Sequence, residues 1–83
     1  MVYILFNRKH GFEKYVVGVY SSREKALNAA SNFLNYDKAP ATNIHHYSPE
    51  EWDYTRISPA DHLKARWTLS ISVYDMDFDL YRA

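Results

Sequence analysis

Two stretches near the start of the chain, residues 2–6 and 14–20, are rich in Val, Ile, Tyr and Phe and flank a basic segment that contains Gly11. β-branched and aromatic runs on either side of a glycine-containing turn predict a β-hairpin. Gly18, inside the second run, predicts a bulge or a close approach by another group. The apolar period then lengthens: Ala26, Leu27, Ala30, Phe33 and Leu34 recur at helical spacing, with Arg23, Lys25, Asn28, Ser31 and Asn32 on the other side. An amphipathic helix over about 22–35, lying on one face of a sheet, is the expected element. Pro40 blocks its continuation, and residues 43–47 form a short strand in this reading. The last segment alternates, with Leu69, Ile71 and Val73 on one side and Thr68, Ser70, Ser72 and Tyr74 on the other, which predicts a half-buried strand. Met76, Phe78 and Leu80 reverse the parity, so a bulge or break is expected near Tyr74 and Asp75, after which 75–82 continues the sheet or leaves it as a tail.

Between these elements a serine repeatedly precedes an acid by three residues, in Ser21-Ser22-Arg23-Glu24, Ser48-Pro49-Glu50-Glu51 and Ser58-Pro59-Ala60-Asp61. That spacing is the capping box of a helix start, and proline at the first helical position strengthens the second and third copies. Two short helices, about 49–55 and 59–66, are therefore expected before the last strand. The resulting fold class is α+β: a mainly antiparallel sheet of three or four strands, the 22–35 helix on one face and two short helices inserted before the final strand. The final strand is expected to pair with the first. A single domain spanning 1–83 follows from the length.

Composition narrows the picture. Hydrophobic residues form 47% of the chain and aromatics 17%, which excludes intrinsic disorder and implies a core built around rings. No cysteine is present, so a disulfide framework and a thiolate metal site are excluded and an intracellular, cytoplasmic setting is expected. No apolar run has the length of a membrane span. The formal charge is zero, yet residues 1–38 carry three more cations than acids and residues 39–83 the reverse. A local basic patch is compatible with that polarity, whereas binding of nucleic acid through bulk charge is not.

Candidate chemistry is sparse. Asp75, Asp77 and Asp79 have the spacing of half a calcium loop, but Leu80 stands where the loop needs glycine. His45 and His46 face opposite sides of an extended segment and cannot chelate together; no metal site and no cofactor are expected. Ser58, Asp61 and His62 lie too close in sequence for a hydrolytic triad, so catalytic residues are expected to be absent. Arg8, Lys9, His10 and Lys14 with Phe12 make a basic, aromatic hairpin tip suited to a phosphate backbone with a ring to stack on a base. Tyr47, Trp52 and Tyr54, rimmed by Glu50, Glu51 and Arg56, are the candidate anchors of a protein interface.

The run Tyr15-Val16-Val17-Gly18-Val19-Tyr20-Ser21-Ser22-Arg23-Glu24-Lys25-Ala26 resembles a strand-to-helix pattern in short uncharacterised proteins of tailed phages and bacteria, which have a β-β-α-β arrangement. The resemblance implies a small accessory protein in a host cytoplasm that binds and inhibits or modulates a host protein, with an anti-defence role among the options. The expected function is thus a non-enzymatic protein-binding module. Nucleic-acid binding through the 8–14 loop is the alternative, and a small enzyme or metal protein ranks last. A homodimer, formed by exchange of the 75–82 segment, is compatible with the pattern.

Overall fold

In a computed structural model, residues 1–36, 39–58 and 62–75 are described. Strands β1 (Val2–Lys9) and β2 (Tyr15–Tyr20) form the hairpin, and helix α1 (Arg23–Leu34) follows. Then come β3 (Thr42–Ser48), β4 (Glu51–Ile57) and β5 (Lys64–Tyr74). All five strands join one antiparallel sheet in the order β2-β1-β5-β4-β3. The long β5 sits at the centre, pairing with β1 from Val2↔Tyr74 to Lys9↔Trp67 and with β4 from Glu51↔Ser70 to Ile57↔Lys64.

The expectation of three or four strands and two extra helices is therefore overturned. Residues 51–57 are strand, and of the 59–66 segment residues 64–66 begin β5, while 59–61 fall outside the described residues, as does the 76–82 part of the C-terminal segment. The physical reason lies in what a serine before a proline can do. The Ser48 hydroxyl does accept a backbone N–H, but from Glu50 at 3.2 Å, two residues on, which closes a turn between β3 and β4 instead of opening a helix. Beyond it, Trp52, Tyr54 and Arg56 alternate with Glu51, Asp53 and Thr55, the period of a strand made from residues that favour one. Similarly, Ser58 donates its N–H to the Leu63 carbonyl and accepts from His62 N–H at 2.8 Å, closing the β4-to-β5 loop.

Among the described residues, only the first of the three serine motifs opens a helix, and its register is one residue later than the spacing predicts. Ser22 is the N-cap, accepting from Lys25 N–H at 3.2 Å, and the Lys25 ammonium reaches back to the Ser21 hydroxyl at 3.3 Å. Glu24 then lies in the first turn, where the helix dipole favours an anion. Ala26, Ala30 and Leu34 face the sheet and are buried with Leu5, Trp52, Tyr54, Leu69 and Ile71 in one core. Alternation sends Ile4 and Phe6 to the opposite face, where both are also buried.

Irregularities collect at the two outer strands. β2 slips by one residue against β1, with Leu5 opposite Gly18 and Phe6 opposite Val16, so Val17 is the extra residue of a bulge. Gly18 also permits a close approach: a Cβ there would stand 2.7 Å from Cζ of Tyr20. β3 slips twice against β4, and Asn43 adopts φ of 51°, a left-handed backbone that asparagine tolerates better than most residues.

Candidate functional site

Strand direction decides which residues meet at the ends of the sheet. β1 and β4 end where β2, β3 and β5 begin, and α1 finishes above the same edge. Arg8 and Lys9 at the close of β1, Lys14 in the hairpin loop, Arg56 near the close of β4, and Lys64 and Arg66 at the start of β5 all belong to that end. The strand pairing holds them there: Lys9 is opposite Trp67, Ala65 is opposite Arg56, and the His10 N–H donates to the Arg66 carbonyl at 3.0 Å. In the 8–14 loop, among the described residues, Glu13 alone opposes this charge. The other end collects Glu24, Glu50, Glu51 and Asp75 with Arg23 and Lys25.

Rings are interleaved with the cations. Lys9 Nζ lies 5.3 Å from the Phe12 ring centroid and 6.0 Å from that of Trp67, and Lys14 Nζ lies 4.3 Å above Phe6. Phe12 is 64% exposed. A cavity of about 410 Å³ opens beside them, lined by Lys9, Arg56, Lys64, Ala65 and Trp67 with the loop residues Ser58 and Leu63. A second, of about 460 Å³, lies between the end of the helix and the start of β2, lined by Tyr15, Asn32, Phe33, Tyr36 and Arg56. Arg56 thus forms a wall common to both.

Arg56 is held from the helix side. Its Nη2 donates to the Phe33 carbonyl at 2.7 Å, and its guanidinium packs 5.0 Å from the Phe33 ring centroid and 5.2 Å from that of Tyr54. Phe33 is in the last turn of α1, which has no basic residue of its own. A strand residue therefore supplies the cation that helix C-termini favour. At the other end of α1, Arg23 pairs with Glu50 at 2.5 Å, so β4 and its preceding turn are tied to both ends of the helix.

Beneath Arg56 runs a buried polar chain. The Tyr54 hydroxyl donates to Asn7 Oδ1 at 2.7 Å, and Asn7 Nδ2 donates to the Tyr15 hydroxyl at 2.9 Å. Tyr54 and Asn7 are 2% and 1% exposed. Burial pushes the Tyr54 phenol up to about 12, an effect that the Arg56 charge and the Asn7 hydrogen bond only partly offset.

The residues expected to anchor a protein interface are dispersed by the fold. Trp52 and Tyr54 are core residues, a correction to their expected place at a surface; as inward positions of a strand next to the central one they complete the floor under the helix. His46 stacks on Trp52 with ring centroids 4.9 Å apart. Tyr47 is 64% exposed on the opposite face, beside His45 at 6.4 Å. Glu50 is engaged by Arg23, Glu51 is exposed, and Arg56 serves the helix end. The hairpin residues Arg8, Lys9, His10, Phe12 and Lys14 are all exposed, as expected of a tip.

Sequence reasoning missed Lys64, Arg66 and Trp67 as neighbours of that tip. The signal was present in the predicted pairing of first and last strands, but both strands run further than their apolar cores, to Lys9 and from Lys64. No three metal-ligating side chains converge among the described residues. Asp61, Asp77 and Asp79 lie outside them. Among the described residues, no helix is long and apolar enough to cross a membrane. No protein-family model, curated protein or solved structure matches this chain.

Proposed function

We propose that this protein is a non-enzymatic binder of single-stranded nucleic acid that uses the basic end of its sheet. The observation that carries the reading is that cations from separate parts of the sequence, Arg8, Lys9, Lys14, Lys64 and Arg66, share one end of the sheet, where Lys9 lies beside the exposed Phe12 ring and the half-exposed Trp67 ring. Cations at the rim of a sheet follow a phosphate backbone, and rings between them stack on bases, which a single strand offers and a duplex does not. The zero net charge is no obstacle, because among the described residues Glu24, Glu50, Glu51 and Asp75 lie toward the opposite end.

The test is a titration of a fluorescent oligonucleotide across salt concentrations. Affinity should fall steeply with salt, and Lys64→Ala combined with Arg66→Ala should flatten the logarithmic slope by about 1.4, near 0.7 for each phosphate contact removed. Absence of binding, or binding indifferent to salt, defeats the proposal.

A protein partner is the second reading, favoured by the exposure of Ile44 and Tyr47 on the edge strand β3. Its remaining candidate contacts are Tyr47 and Glu51. Under this reading Tyr47→Ala weakens a protein complex and leaves oligonucleotide affinity unchanged.

A further inference from the structure

The cavity beside the end of the helix has a different character from the cationic rim. Its walls are Tyr15, Phe33 and Tyr36, with Asn32 on one side and the Arg56 guanidinium shared with the neighbouring cavity. Tyr15 and Tyr36 are 48% and 52% exposed, too open for core rings. Tyr15 is nevertheless fixed in place, its hydroxyl accepting from Nδ2 of buried Asn7 at 2.9 Å. Arg56 is also immobilised, between two rings and a carbonyl. A ring and a guanidinium presented in fixed positions bind a flat ligand with little loss of their own freedom.

We infer that this cavity is a nucleobase subsite, in which one base of the bound strand rests against the rings of Tyr15 and Tyr36 with its polar edge toward Asn32. The inference rests on the proposed binding of single strands and gives that binding a point of base contact. A volume of about 460 Å³ admits one base with its sugar. An asparagine amide carries both donor and acceptor, the pair that a base edge requires. The cations of the adjoining cavity, Lys9 and Lys64, lie across Arg56, where the neighbouring phosphates of the same strand pass.

The experiment compares a base-bearing oligonucleotide with an abasic strand of equal length, using wild type and Tyr36→Ala. Tyr36 is half-exposed and outside the buried core, so the variant should fold, as circular dichroism will check. The base-bearing strand should bind wild type on the order of tenfold more tightly than the abasic one. Tyr36→Ala should remove most of that difference while leaving abasic affinity unchanged. Equal affinity for both strands overturns the subsite and leaves backbone binding intact. A loss in Tyr36→Ala that falls equally on both strands overturns it too. Failure of both strands to bind removes the subsite together with the proposed function.

Discussion

Single side chains here do work that their type alone does not announce. Tyr54 is the clearest case, an aromatic that fills the core and also anchors a buried amide. Replacing it with phenylalanine keeps the ring but leaves Asn7 Oδ1 without its donor, and should cost about 1–3 kcal/mol in urea unfolding. Its titration has a definite sign. Because the folded-state pKa stands near 12 against an ordinary value of 10.0, the native state holds the phenolic proton more tightly than the unfolded chain. The associated stability is complete below pH about 10 and is lost as pH rises toward 12, a change of about 2–3 kcal/mol. The gap between wild type and Tyr54→Phe should therefore narrow over that range. Trp52 has a simpler role: Trp52→Ala opens a cavity under the helix and should cost about 3–5 kcal/mol, read as a large fall in melting temperature.

At the scale of elements, α1 is short, and its intrinsic propensity cannot hold it to the sheet. Three buried apolar residues and two arginines do so. The arginines are unequal. Arg23 and Glu50 form a half-exposed surface pair, so Arg23→Ala should change unfolding free energy by less than about 1 kcal/mol. Arg56 is partly buried between rings and bonds a helix-terminal carbonyl, so Arg56→Ala should cost about 1.5–3 kcal/mol. Arg56→Lys should recover only part of that loss, since an ammonium cannot stack flat between Phe33 and Tyr54. Chemical denaturation of the three variants gives the ranking. Bulges in β2 and β3 belong to the same scale: they distort the two open edges of the sheet and so oppose edge-to-edge pairing of one copy with another.

At the scale of the molecule, zero formal charge conceals, among the described residues, a basic end and a more acidic one. Charge separated in this way acts locally, since fields decay over about 8 Å at physiological salt. The protein should accordingly be retained on a cation exchanger at pH 8, above its isoelectric point of about 6.9. Lys64→Glu with Arg66→Glu should abolish retention while the fold, followed by circular dichroism, persists. Passage of the wild type through the column unretained would show that the rim is not a continuous patch.

Local patterns were legible wherever one element made its own case. The 2–6 and 14–20 strands, the helix with Ala26, Ala30 and Leu34 inward, the irregularity at Gly18 and the alternation of Leu69 and Ile71 follow from period and side-chain shape, and the chain alone determined them. Segments 49–55 and 64–66 were not legible in the same way, because a serine followed by proline and an acid offers the same hydroxyl to a helix start and to a tight turn. What decides between them is whether the residues beyond, such as Trp52 and Tyr54, find a neighbouring strand to pair with, and that neighbour, β5, is distant in sequence. The candidate site divides along the same line. The exposed tip from Arg8 to Lys14 is a local feature, whereas its union with Lys64, Arg66 and Trp67, and the placing of Tyr15 near Tyr36, exist only once antiparallel pairing brings strand ends together. Periodicity reports which face a residue takes; only the closed sheet decides which residues share an end.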